Sequence, residues 1–368
     1  MVARVAFRPL LRVLRTARAN NQWSELKSLL KDRLFMKRSA RNPGPPFLFQ
    51  MASGYWLSQA VYVAAKLGIA DLLESGPKSS GELAVATGCD PASLFRVLRA
   101  LSSVGLVAQV DSRFTLADSG RALRSNVPGS LRRIAITLGE IHYQACGELL
   151  HSVRTGTPAF KKVFGADLFE YLLQNPEHHA AFDQGMTELA YLLAQAVLLA
   201  YDFSGVGTIV DVGGGEGELL RRILDVYPEM KGTVFDLRER GSLSTTVEKA
   251  GRLSYISGNF LDAVTERAEA YVLCGVLHDW SDELVTVILQ NCRNAMANNG
   301  RLLIVEAIMP EGNSPSFSSL LDINMMAMTS GRERTKSEFH TLLSDTDFRV
   351  NRIVPTLAPQ SIIEAYPK

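Results

Sequence analysis

The chain has 368 residues, of which 46% are hydrophobic, 21% charged and 8% aromatic. That composition excludes a disordered, collagen-like or coiled-coil protein, and the length suggests about two domains at ~100–200 residues each. Its 39 Lys and Arg against 38 Asp and Glu give a net charge of +1, with no global field to gather nucleic acid. Cys89, Cys146, Cys274 and Cys292 share no CxxC or CxxH spacing, so neither a redox pair nor a zinc site is read from them and no metal is expected. No run suits a membrane span or a secretory signal, and a reducing, cytoplasmic location is expected.

The near-zero charge hides a split. Residues 1–45 hold eleven basic and two acidic residues, or +9, which leaves −8 for the remainder. Arg4, Arg8, Arg12, Arg15 and Arg18 recur every three or four positions, which places them on one helix face with Phe7, Leu10, Val13, Leu14 and Ala17 roughly opposite. A second helical stretch surrounds Leu26, Leu29, Leu30, Leu34 and Phe35. Asn42-Pro43-Gly44-Pro45-Pro46 then breaks the pattern as a linker. Residues 1–46 thus form a basic amphipathic extension, expected to contact a membrane surface or another subunit.

From 47 to 126 the pattern predicts short helices, then a helix over Pro91–Ser103 opened by Asp90 and Pro91, then a hairpin of Leu106–Val110 and Phe114–Leu116. That order is winged-helix-like. Residues 127–203 are expected to be a helical connector. From 204 to 368 strands and helices alternate, as in a doubly wound parallel sheet: strands over Val206–Val212, Gly232–Phe235, Leu253–Ser257, Ala270–Leu273 and Arg301–Ile308, with helices over Glu218–Val226 and 281–296. Phe348–Val354 and Ser361–Ala365 are expected to pair as terminal strands.

Asp211-Val212-Gly213-Gly214-Gly215-Glu216-Gly217 lies where the first of those strands turns into a helix, so a ligand can rest against bare backbone. The spacing is G-x-G-x-G, and Glu218 stands where a dinucleotide fingerprint needs glycine. Asp211 and Glu216 make the loop negative, which repels phosphate and suits a cation such as a sulfonium. Asp236, 19 residues beyond Gly217 at the end of the second strand, occupies the position of an acid that accepts from ribose hydroxyls. His278-Asp279-Trp280 follows the fourth strand at the ligand-binding edge. Glu306 and Glu333 lie at comparable edges, the latter just before a helix capped by Thr335 and Glu338. A histidine oriented by carboxylates, with a pKa near ~6.5 and therefore mostly neutral at pH 7, suits the role of general base toward a phenol of pKa ~10.

With these residues in their order, the chain resembles the S-adenosylmethionine-dependent small-molecule O-methyltransferases of the caffeic acid and acetylserotonin type, including bacterial natural-product relatives. The similarity covers about Phe47 to Lys368 and rests on Asp211–Gly217, Val234-Phe235-Asp236, Gly258-Asn259-Phe260, Val276–Trp280, Glu306 and Gly331–Thr335. It implies a Rossmann-like class I methyltransferase domain behind a winged-helix-like dimerisation domain, hence a homodimer. Its cofactor would be S-adenosylmethionine and its substrate an aromatic small molecule methylated on a hydroxyl. The resemblance further implies that Gly213, Gly215, Asp236, Asn259, Phe260 and Cys274 contact the cofactor. His278 would be the base, with Glu306 and Glu333 holding its ring, and Phe182, Met186, Asn324, Met325 and Met328 would form the acceptor pocket. Asn259 replaces the family's usual acid, and Cys274-Gly275 stands where many members carry Lys or Arg. Two other classes remain open: a relative repurposed for hydroxylase- or pericyclase-type chemistry, and a DNA-binding regulator. The regulator's would-be recognition helix carries only Arg96 and Arg99 as basic residues.

Overall fold

The computed structural model describes residues 45–237 and 251–368. The basic arginine helix and the second helical stretch of the extension lie outside the described residues. Pro45 and Pro46, expected as linker, instead open helix α1 (Pro45–Ala52). The missing proline N–H costs nothing in a first turn, where that donor has no intrahelical acceptor.

The chain forms two compact units. One comprises residues 45–154 with Ala159–Tyr191. It starts with α1, none of whose residues is buried, and α2 (Gly54–Lys66). A two-residue strand β1 (Lys78–Ser79) leads into α3 (Ser80–Thr87), where Ser79 and Glu82 form a capping box. Asp90 caps α4 (Pro91–Ser103) by accepting from the Ser93 N–H at 2.8 Å. Leu94, Leu98 and Leu101 of α4 are buried with Leu83, Val107 and Phe114 in a small core, so its apolar stripe is spent on packing. The expected hairpin is present as β2 (Val107–Val110) and β3 (Arg113–Leu116), and β1 joins it on the β3 side. Short helical segments follow, including a π-helical turn at Leu138–His142. The long helix α5 (Pro176–Ala200) begins in this unit and ends in the other.

The second unit, Thr155–Pro158 with Leu192–Lys368, is built on one large sheet. Its strands are β4 (Thr208–Val212), β5 (Lys231–Asp236), β6 (Leu253–Ser257), β7 (Ala270–Cys274), β8 (Arg301–Met309), β9 (Arg334–Thr335), β10 (Phe348–Pro355) and β11 (Gln360–Pro367). The spatial order is β10-β11-β8-β7-β4-β5-β6, with β9 paired to β8. Strands β4 to β8 run parallel, whereas β11 and β10 close the sheet antiparallel. The first strand starts at Thr208 rather than Val206 because the Val206 N–H bonds to Phe203 O in a turn.

Both sheet faces are buried, as alternating residues show. Val210, Val212, Tyr271, Leu273, Leu302 and Ile304 point into one core with α7 (Asp282–Ala295) and α9 (Lys336–Asp345), while Ile209, Ala270, Val272, Leu303 and Val305 point into the other with α6 (Glu218–Val226) and the end of α5. At about 1.5–3 kcal/mol per buried large apolar side chain, this two-sided burial pins the register of β4, β7 and β8. From β4 the chain moves outward to β5 and β6, then returns to β7 on the other side of β4. The β4/β7 boundary is therefore the point where strand order reverses, and the crevice beyond its carboxyl ends is the ligand position of open α/β sheets. Among the described residues no helix is long and apolar enough to cross a membrane.

Candidate active site

The loop after β4 has Gly213, Gly215 and Gly217 at φ of +71°, +53° and +75°, the left-handed region that only glycine enters freely. A Cβ on Gly213 would stand 2.8 Å from Val276 Cγ2 and 3.5 Å from the Phe260 ring, so bare backbone is required where three loops meet. At Gly215 a Cβ would meet nothing within 4 Å. The Gly215 N–H donates to Asp236 Oδ2 at 2.8 Å, which ties the loop to the end of β5. Asp211 is 1% exposed and its Oδ1 has no hydrogen-bond partner. Burial, reinforced by the Asp236 charge, pushes its carboxyl up to about 7. Phe260 is buried and meets Trp280 edge-on at 5.8 Å. Asn259 Oδ1 accepts the Leu261 N–H at 3.0 Å, holding the turn that presents Phe260. Burial and the nearby Asp211 and Glu306 charges raise the Cys274 thiol well above its ordinary range, so it is neutral.

His278 lies in the short turn Leu277–Asp279 after β7. Its Nδ1 is 3.0 Å from Glu333 Oε1 and 3.5 Å from Glu306 Oε2. Glu306 is fully buried because it continues the inward face of β8, and its Oε1 accepts the N–H groups of Val276 (3.0 Å) and Leu277 (2.8 Å). Glu333 is 3% exposed, and its own N–H donates to Asp322. The two acids thus act differently: Glu333 takes the ring N–H, while Glu306 is pinned to the backbone that leads into His278.

The expected neutral histidine is corrected by this arrangement. Burial alone would lower the imidazole's pKa, but the charges of Glu306 and Asp279 together with the hydrogen bond and charge of Glu333 outweigh it and raise His278 to about 10. Glu306 moves up to about 7, chiefly through burial and despite the attraction of His278. One ligand atom from each of His278, Glu306 and Glu333 lies within 4.8 Å of the others, close enough to share a cation. The 3.0 Å contact is an ordinary length for an imidazole N–H donating to a carboxylate.

Of the expected acceptor residues, Phe182 and Met186 are half-buried on α5 in the first unit. Asn324 is half-buried, and Met325 and Met328 are buried, on α8 (Ser318–Met328) in the second. Two residues of the Gly331–Thr335 segment were marked in the sequence only as part of that motif, with no role of their own. A Cβ on Gly331 would stand 2.0 Å from His278 O, so the segment lies directly on the histidine's backbone. Arg334 is 0% exposed, and the available signal was an arginine adjoining an acid in a segment otherwise marked for function.

The cradle fits S-adenosylmethionine. It offers exposed backbone at Gly215, an acid at Asp236, and at Asp211 a buried carboxylate oxygen without a partner, which suits a cationic ligand. The O-methyltransferase domain family matches residues 146–349 and the O-methyltransferase dimerisation domain family matches residues 49–126. The phenazine O-methyltransferase PhzM of Lysobacter antibioticus is 40% identical over 335 residues, covering 90% of this chain and 98% of the relative. The phenazine-1-carboxylate N-methyltransferase of Pseudomonas aeruginosa is 34% identical, covering 83% and 92%. The crystal structure of CalO1, a methyltransferase in calicheamicin biosynthesis bound to SAH, superposes with a TM-score of 0.78 at 35% identity, covering 90% and 100%. The chain belongs to the S-adenosylmethionine-dependent O-methyltransferase family, with an N-terminal dimerisation domain, a class I methyltransferase fold and S-adenosylmethionine as cofactor.

Proposed function

We propose that this enzyme methylates a phenolic hydroxyl of an aromatic small molecule in secondary metabolism, with His278 as general base. The observation that carries the reading is the hold of two carboxylates on one ring nitrogen: Nδ1 faces Glu333 at 3.0 Å and Glu306 at 3.5 Å, which leaves Nε2 to take the proton. S-adenosylmethionine supplies the electrophilic methyl group on a sulfonium. With a pKa raised to about 10 only the minor neutral form acts as base at pH 7, but its Nε2 matches a phenol's ~10, so proton transfer between them is nearly thermoneutral and the rate should rise with pH. Glu333 and Glu306 stabilise the imidazolium that results. Gly213 and Gly215 would carry the methionine part of the cofactor, Asp236 the ribose, and Asn259, Phe260 and Cys274 the remainder. Phe182, Met186, Asn324, Met325 and Met328 are assigned to the acceptor by family resemblance.

His278→Ala should keep cofactor affinity within about twofold and lose ~10²–10⁴ in turnover. The readout is S-adenosylhomocysteine release with a panel of phenolic aromatics headed by a hydroxyphenazine, and mass spectrometry to locate the methyl group. Near wild-type turnover across pH refutes the base. Methylation at nitrogen, as named for the Pseudomonas relative, refutes the hydroxyl acceptor.

For the assembly we infer a homodimer formed through α1 and α2. There Leu48, Phe49, Met51 and Trp56 stand 59–69% exposed on consecutive helices, an apolar surface of the kind that marks an interface.

A further inference from the structure

We propose that Arg334 is a positioning residue for the base: it sets the backbone of the His278 turn while its neighbour Glu333 sets the ring. The inference rests on the reading of His278 as general base. The Arg334 guanidinium uses each of its three nitrogens on a different group. Nη1 donates to Leu277 O at 2.8 Å, Nη2 to Trp280 O at 2.8 Å and Nε to Asp282 Oδ1 at 2.8 Å. The two carbonyls bracket His278-Asp279, and Asp282 is the first residue of α7, into which the turn runs. Arg332 donates to the other oxygen of Asp282 at 2.8 Å, so that carboxylate is fixed from both sides.

A fully buried guanidinium is costly unless all its donors are satisfied. Here the satisfaction comes almost wholly from one four-residue turn and the helix after it. β9 holds Arg334 opposite Ile308 on β8, two residues beyond Glu306, so the strand that carries one carboxylate also anchors the arginine. Gly331 completes the clasp by lying against His278 O. Ring and main chain of the base are therefore gripped by adjacent residues of a single segment. Lysine cannot replace the arginine, because one ammonium on a flexible stem does not span three acceptors set around a rigid planar fork.

The experiment compares wild type, Arg334→Lys, His278→Ala and the double variant, with cofactor affinity measured by calorimetry on each. Arg334→Lys is expected to lower kcat about 10–100-fold, the scale of a misplaced catalytic group. Cofactor Kd and acceptor KM should stay within about twofold, and the acid limb of the kcat/KM profile should move down as the ring leaves Glu333. In the His278→Ala background the same change should cost less than about twofold, since a residue acting through the base has nothing left to position. An equal cost in both backgrounds overturns the proposal and leaves the base intact, as does a parallel loss of cofactor binding. Wild-type turnover by His278→Ala overturns the base and this proposal with it. If Arg334→Lys fails to fold, Asp282→Ala, at a half-exposed position, removes one anchor of the guanidinium. It should lower kcat about three- to tenfold, again only when His278 is present.

Discussion

Glu333→Gln isolates what a charge contributes to the proposed base, His278, without changing its shape. The side chain is buried and its Oε1 lies 3.0 Å from His278 Nδ1. A hydrogen bond to a charged partner is worth roughly 1.5–3 kcal/mol, against about 1 for a neutral pair, so the imidazolium loses about 0.5–2 kcal/mol. At 1.36 kcal/mol per unit, the His278 pKa falls by about one from its value of about 10. A transition state containing that imidazolium loses the same energy, a factor of about 2–30 in the intrinsic rate of the neutral-histidine enzyme. Well below the pKa, however, the neutral fraction grows about tenfold and offsets most of that loss. The expected signature is therefore a pair of pH profiles that nearly coincide around pH 7 and diverge as pH rises, with the variant bending about one unit earlier. Initial rates of S-adenosylhomocysteine formation from pH 6.5 to 9.5 measure it. A variant slower by one constant factor at every pH would refute the view that Glu333 acts through the histidine's basicity.

Asp211→Asn separates the cost of a buried charge from its use. The folded carboxyl titrates at about 7, against an ordinary value of 3.8, so the folded state keeps a proton that the unfolded chain releases. Stability is thus lost as pH rises from about 4 through 7. The variant should melt about 2–4 °C higher than wild type at pH 8 without cofactor, with the gap narrower at pH 5 and gone by about pH 4, and bind S-adenosylmethionine about tenfold more weakly. A lower melting temperature at pH 8 would contradict the burial cost. Phe49→Glu combined with Trp56→Glu should reduce the mass seen by light scattering to that of one 40.3 kDa chain, and an unchanged dimer would place the interface elsewhere.

The large sheet was legible because its strands are buried on both faces. Runs such as Ile209-Val210, Tyr271-Val272-Leu273 and Leu302–Val305 are continuous apolar stretches, and the glycines after β4 and β7 mark the exits from those strands. Strands β1 and β9 were not legible, since two residues carry no period and form only because a neighbouring strand offers its edge. The π-helical turn at Leu138–His142 leaves no compositional trace either; a Cβ at Gly139 would stand 2.4 Å from the Tyr62 side chain, a tertiary contact 77 residues away. At the site, His278, Glu306 and Glu333 could be named one by one. Their effect on one another depends on distances that strand register sets, which is why a histidine expected to be neutral emerges as a strong base. Arg334 was given no role of its own for the related reason that an arginine in sequence suggests a solvated charge, and only the fold reveals the acceptors closing around it.

Strand β8 has consequences for the order in which the enzyme can be assembled as it is synthesised. Its β7 side pairs with a strand already made, but its other side waits for β11, whose register runs from Gln360 against Ala307 to Ala365 against Leu302. The clasp on the histidine turn likewise arrives late, 55 residues beyond the histidine it holds. A nascent chain that has reached Met309 therefore contains the glycine loop and Asp236 but neither Glu333 nor Arg334, and it exposes the open edge of an apolar strand to other chains. The glycine loop and His278 itself thus precede the segment that clasps the histidine, and the closing antiparallel strand ends the interval in which β8 invites mispairing.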